Sequence, residues 1–430
     1  MRMSELVRMM ARLMLVLFAV CAALMAGICV VGRLLPPKQV LALEVRNDND
    51  GTLKIVLVDT EQNKQATYLK LPFQGFVYAW ALDGKFAIFT KSDVDGNAAL
   101  FIAERNGIVK QIAEKLNWRN RLILSRDGRT ALEFDDNLIP TLHFVGQDKT
   151  LHKLSDRLVR DASPVWSSDG RFAYLTNEVG GIHLYLLTED DSLYLAANFP
   201  FPPGALGPNL FWSPDGRLAF RSDYQRVNIL ARDGNLQSVT IKDGSLALTG
   251  WSPDGKLTAI FYDNGAESIV TIGQDGVIHK LYTTMASLYQ ITWSPDGRLA
   301  FIAAHDDVNE LRLLEADGTI HTLAQYAPQI TGGFPSFSWS PDGRLAYIPK
   351  LDGNQTETVI LERNGQARPI LTGGIYSVND SDWSVDGRLI FASSLPDNTG
   401  PELHILERDG SLHNLTVNSG SYHWIDWPFD

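Results

Sequence analysis

Along most of the chain, short runs in which apolar and polar residues alternate are separated by Asp-Gly, Asn-Gly or Ser-Pro-Asp-Gly. Alternation with period two predicts β-strands with one face on a core, and the intervening pairs are tight-turn sequences. A single segment breaks the pattern. Leu13 to Gly32, LMLVLFAVCAALMAGICVVG, runs twenty residues without a charge or a proline. As a helix it rises about 30 Å, the thickness of a bilayer's hydrocarbon core. A cleaved signal peptide is the competing reading, and small residues near Ala26 and Gly27 suit a cleavage site. Its apolar region, however, usually covers only about 7–15 residues. The expected organisation is a tail over 1–12, a transmembrane α-helix over 13–32, a linker over 33–39 and a β body over 40–430.

Within that body one phrase recurs. It reads WALDGKFAIF from Trp80, WSSDGRFAY from Trp166, WSPDGRLAF from Trp212 and WSPDGKLTAI from Trp251. It returns as WSPDGRLAF from Trp293, WSPDGRLAY from Trp339 and WSVDGRLIF from Trp383. A degenerate copy, LSRDGRTALEF, starts at Leu124, and a truncated one starts at Trp427. Successive copies lie 39 to 46 residues apart, the period of propeller blades built from four short strands. Ser-Pro-Asp-Gly suits a type I turn followed by a left-handed glycine that forms a bulge. A second tight turn follows in nearly every unit, at Asn106-Gly107, Asp317-Gly318, Asn364-Gly365 and Asp409-Gly410 among others. Each unit therefore offers one strand ending at the Trp, one after Asp-Gly, and a two-stranded hairpin. Such a unit cannot bury both faces alone, so neighbours must stack face to face. The recurrent Trp is expected to wedge between blades, and truncating a fully buried one to Ala costs about 3–5 kcal/mol.

The W-S-P-D-G-R phrase resembles the repeats of TolB-like propellers, distant relatives of the WD-repeat proteins, over essentially residues 40–430. The resemblance implies an all-β propeller of four-stranded blades and says little about activity, because propellers serve binding, scaffolding and enzymes alike. The chain departs from propeller-bearing serine peptidases in lacking a Gly-x-Ser-x-Gly and any segment left over for a hydrolase domain.

Eight full units run from the strand ending at Trp80 onward. One C-terminal strand, Ser421 to Trp427, and three N-terminal candidates, 40–45, 53–59 and 66–71, remain. Joined, they make a ninth blade whose inner strand comes from the far end of the chain and leaves no open edge. Direct counting gives nine blades; eight, with the N-terminal strands outside, is the alternative.

Charge then narrows the partners. The chain carries −12, and its first 38 residues hold five Lys/Arg against one Glu, so the remainder carries −16. An acidic body is a poor match for nucleic acid or an anionic lipid surface. Arg2, Arg8 and Arg12 precede the apolar span, which predicts a cytoplasmic N-terminus and a propeller outside the cell membrane. Cys21 and Cys29, the only cysteines, lie in the span, so the body has no disulfide to rely on.

Candidate chemistry is sparse. His152, His279, His321 and His413 occupy the fourth strand of four different units, where they diverge around a ring instead of converging on a metal. Asp93-Val94-Asp95-Gly96-Asn97 lacks the spaced acids of a calcium loop. The Asp of every W-x-x-D-G copy belongs to its turn. The strands before the motif Trp line the channel, and their late copies carry Asp380, Asp382 and Asp426, a candidate acidic patch for a cation or a basic ligand. No catalytic residues, cofactor or resident metal are expected. The chain reads as a non-enzymatic, membrane-anchored propeller that binds or scaffolds membrane or extracytoplasmic proteins. A small-ligand receptor or enzyme with its site at the channel is the alternative.

Overall fold

The computed structural model describes residues 40–46, 53–59, 64–71, 75–80, 86–91, 97–103, 109–125, 129–136, 139–146, 150–159, 162–200, 209–327, 337–349, 351–352, 355–372, 381–394, 401–414 and 421–426. The apolar span, the linker, Asp380 and Trp427 lie outside these residues. Trp80, Asp382 and Asp426 are placed by backbone only. Among the described residues no helix is long and apolar enough to cross a membrane.

Every described element is a strand, and the strands pair antiparallel in sequence order. Eight sheets result, one of them seven-stranded because its long strand Val109–Leu124 is shared by two units. Nine four-stranded units are thereby accounted for, numbered here as blades 1 to 9 from the N-terminus. The shared strand has a sequence reason. Between Gly107 and Gly128 the chain contains no glycine or proline, so nothing breaks the extended backbone where blade 2 hands over to blade 3.

Blade 1 is assembled from both ends of the described chain. Val40–Arg46, Leu53–Asp59 and Lys64–Leu71 form a meander, and Ser421–Asp426 pairs with the free edge of Val40–Arg46, matching Ala42 with Asp426. The third of these strands starts two residues before the expected 66. Ser421–Asp426 also lies against the innermost strands on either side, Ser381–Trp383 of blade 9 and Gly75–Trp80 of blade 2. The ring is thus closed by a strand from the far end of the chain, which removes two open edges at once.

The core is a series of slabs between blades. Ala219, Val227 and Ile229 of blade 5 pack with Leu246, Leu257 and Val270 of blade 6. Equivalent clusters join blades 3 and 4, 4 and 5, 6 and 7, 7 and 8, and 8 and 9. Second strands such as Leu299–Ala304 are buried along nearly their whole length, whereas fourth strands such as Ile320–Tyr326 are mostly exposed. That gradient is what stacking of radial sheets produces.

The turn between first and second strands does more than reverse the chain. In blade 7, Ser294 Oγ accepts from the Arg298 backbone N–H at 2.8 Å and donates to Asp296. Asp296 in turn receives Arg298 Nε and Nη2 at 3.1 and 3.0 Å. Gly297 takes the left-handed conformation, φ 87°, that the turn requires. The held guanidinium then reaches the next blade. Arg298 Nη2 donates to the Gly343 carbonyl, and its charge stands 5.1 Å from the Trp339 ring centroid. Arg129, Arg171, Arg217 and Arg344 repeat both contacts, each to the glycine and the Trp of the following copy. The Trp points back. Indole Nε1 of Trp166, Trp212, Trp251 and Trp339 donates to the carbonyls of Ile123, Val165, Phe211 and Thr292 on the preceding inner strand, and Trp383 donates to Ser338 Oγ.

These Trp side chains do sit between blades, but all six with described surroundings, Trp166 through Trp383, are half-buried and not fully buried. Truncation should therefore cost less than the full-burial figure. Blade 6 departs from the pattern. Lys256 replaces the arginine and, among the described residues, pairs only with its own turn, at 2.6 Å from Asp254. Trp293 then donates to the hydroxyl of Thr258, which stands where most other blades have alanine.

Candidate functional site

A meander gives the propeller two unlike faces. The first-to-second and third-to-fourth turns share one face, and the second-to-third and fourth-to-next-first connections share the other. The interlock just described occupies the turn face. The loop face carries a cluster contributed by three consecutive blades.

Arg221 ends the second strand of blade 5, Leu218–Arg221, and Tyr224 follows in the loop. Tyr262 stands near the end of the blade 6 second strand, Leu257–Asp263, and Tyr289 near the start of the blade 7 inner strand, Ser287–Trp293. Tyr224, Tyr262 and Tyr289 are exposed at 44%, 36% and 44%, and Met285 beside them at 76%. Arg221 joins the blades: its Nη1 donates to Leu246 O of blade 6 at 2.6 Å, and its charge lies 5.9 Å from the Tyr224 ring centroid. Among the described residues it has no carboxylate at ion-pair distance. Burial pushes its pKa down, opposed by Tyr224, Tyr262 and Asp223. Burial raises the Tyr262 hydroxyl above its usual value, as do Glu267 and Tyr289, while Arg221 opposes them. Arg221 thus bridges blades 5 and 6 on the face that also carries the three tyrosines.

Local backbone geometry presents it. Asn264-Gly265, both left-handed, make a tight turn between the second and third strands of blade 6, and a Cβ on Gly265 would lie 3.8 Å from the Met285 terminal methyl. Gln290 adopts φ 51° at a bulge between Tyr289 and Thr292. The bulge breaks the in–out alternation, so Tyr289 and Gln290 both face solvent while Leu288 and Ile291 stay buried.

Of the residues expected from sequence, Asp382 and Asp426 lie on innermost strands that neighbour each other, in Ser381–Trp383 and Ser421–Asp426. Their side chains, like Asp380 as a whole, are outside the described residues. His152, His279, His321 and His413 are exposed on four separate outer strands. Among the described residues no three His, Cys, Asp or Glu side chains are grouped to hold a metal ion. Two features escaped the sequence reading. The inter-blade role of the motif arginines is one, and their repetition one residue past Asp-Gly is its only sequence signal. The loop-face patch has no sequence signal, because its members lie in three separate units.

No family model and no curated protein matches the chain. Solved structures do resemble it in part. TolB from Acinetobacter baumannii is 17% identical over 66% of this chain and 79% of that one, with a TM-score of 0.35. The β-propeller domain of the Trilobed protease from Pyrococcus furiosus, described as having an open velcro topology, gives 14%, 80%, 99% and 0.40. Porphyromonas gingivalis dipeptidyl peptidase 4 gives 14%, 92%, 61% and 0.49. With identities this low and TM-scores under 0.5, nothing about activity or partners passes from these proteins to this chain. The β-propeller fold stands on its own sheet order.

Proposed function

We propose that this protein is a non-catalytic binding or scaffolding propeller, held outside the cell membrane by the span from Leu13 to Gly32, whose loop face docks another protein. The observation that supports this reading is the patch of Arg221, Tyr224, Tyr262, Tyr289 and Met285. Tyrosine and arginine dominate the energetic centres of protein interfaces, because each offers a large apolar body with a polar tip. A half-buried guanidinium without a carboxylate suits a partner that supplies one. The nearby Asp223 and Glu267 are each turned to a backbone amide, of Gln225 and Leu288, at 2.7 and 2.8 Å. The full chain, purified in mild detergent from its native membranes, should carry associated proteins that mass spectrometry identifies. Tyr224→Ala combined with Tyr262→Ala, which leaves the Arg221 bond to Leu246 in place, should lose them while melting near the wild type. An unchanged set of associated proteins would refute the reading.

A second reading is a cation or basic-ligand site at the channel, which the adjacency of the Asp382 and Asp426 strands favours. If it holds, calcium raises the melting temperature of the wild type and not of the Asp382→Asn, Asp426→Asn double variant. No calcium effect in either protein would dispose of it.

A further inference from the structure

The segment after the apolar span leads into Val40–Arg46, the second strand of blade 1. Its register with Ser421–Asp426 sets Ala42 opposite Asp426 and Arg46 opposite Ser421. Asp426 directly precedes the truncated motif copy at Trp427, so Val40 lies at the end of the blade where the others make their first-to-second turn. In blade 7 the matching pairs are Thr292 with Ala300 and Trp293 with Leu299. The polypeptide therefore enters on the turn face, one strand out from the channel. Seven residues, 33 to 39, separate that point from the apolar span. Fully extended they reach at most about 25 Å.

To lay the loop face on the bilayer, those seven residues would have to pass round the rim. Outward from Val40 lie two more strands, about 10 Å at the spacing of paired strands. A seven-residue strand such as Gly181–Leu187 then spans about 23 Å from one face to the other. The path, about 33 Å, exceeds the reach before any of it enters the membrane. The channel route would use nearly the whole linker. We propose that the turn face looks toward the membrane and that the loop-face patch is presented away from it, to a soluble extracytoplasmic protein. This rests on the anchor and docking readings above and adds which way the patch faces and what it meets. Tyrosines beside an arginine would also suit a lipid surface. This face, however, stands too far from the bilayer that holds its own chain, and the acidic body repels anionic lipid. The half-buried Arg221 guanidinium fits a carboxylate on the partner.

Val179 and Glu189 flank one strand of blade 4, Gly181–Leu187, the first on the loop face and the second on the turn face, and both are exposed. A probe at each reads the height of its face at one place on the ring. With Cys21 and Cys29 replaced by serine, the full chain carrying Val179→Cys or Glu189→Cys is labelled with a donor dye. It is then reconstituted into vesicles whose headgroups carry the acceptor. The Glu189→Cys donor should lose most of its emission to the acceptor, and the Val179→Cys donor little. Equal losses would overturn the proposal, as would a greater loss from Val179→Cys, which would make the loop face a lipid-binding surface. Protein that does not float with the vesicles would overturn it through the anchor reading instead. Native membranes holding the full chain are also washed at alkaline pH, which strips peripheral proteins and leaves spans behind. The proteins whose association depends on Tyr224 and Tyr262 should leave in the wash while the propeller stays. Partners that remain with the bilayer would overturn the assignment of a soluble partner. If no such protein exists the docking reading fails and the partner with it, whereas the dye heights still decide the orientation.

Discussion

Arg298→Lys tests whether the blades are locked by the geometry of a guanidinium or merely by its charge. Lysine keeps the ion pair with Asp296, as Lys256 does with Asp254. It forfeits the reach to the Gly343 carbonyl and the guanidinium over the Trp339 ring. A charge-assisted hydrogen bond of this kind contributes about 1.5–3 kcal/mol and a partly buried cation–π contact about 0.5–2 kcal/mol. Part of each survives through relaxation, so the expected loss is about 2–4 kcal/mol, falling on the interface between blades 7 and 8. Urea unfolding of the full chain in detergent, followed by tryptophan fluorescence, measures it. The reverse substitution, Lys256→Arg, supplies blade 6 with the missing bridge to Gly297 and should stabilise by about 1 kcal/mol. The space is there, since a Cβ built on Gly297 meets nothing within 4 Å. If Arg298→Lys unfolds with the wild type, or both variants shift the midpoint in the same direction, the interlock is not what joins the blades.

Two further outcomes follow from the same turns. Gly297→Ala and Gly343→Ala impose the same left-handed strain, at φ 87° and 89°, of about 1–2 kcal/mol. Only the second drives a methyl to 2.8 Å from Asp296, so its thermal midpoint should fall further; equal losses would refute the reasoning. Burial opposes ionisation of Asp169, Asp296 and Asp342, but hydrogen bonds from arginine and serine and the arginine charge outweigh it and hold each carboxyl below its usual value. A depressed folded-state pKa contributes stability above the unfolded value near ~4 that is lost as pH falls through the folded pKa. The thermal midpoint should therefore drop as pH falls below about 4, and less steeply in Asp296→Asn; parallel profiles would count against it.

Strand content and turn positions were legible in the sequence because period-two alternation and Asp-Gly are local signals. The pairing of Ser421–Asp426 with Val40–Arg46 was legible for another reason: three strands at one end and one at the other add up to the missing blade. What stayed hidden is relational. The Asp of each motif was rightly read as turn chemistry, yet its partner Arg serves the following blade, about forty residues away. The paired change of Lys256 and Thr258 makes sense only once Trp293 is seen to turn to the threonine hydroxyl. Shared burial of Arg221 with tyrosines from two neighbouring loops leaves no trace at any fixed spacing.

The division of labour between the faces bears on where function resides. On the turn face each blade fixes its Ser, Asp and Arg in one network and commits the arginine to the next blade's glycine and tryptophan. A substitution there alters two blades at once, so this face has little freedom to acquire a partner. Loop-face connections carry no such obligation. They differ in length and composition from blade to blade, and Tyr224, Tyr262 and Tyr289 stand exposed there. Recognition is free to diversify where the repeat does not hold itself together, and the loop-face patch lies in that territory.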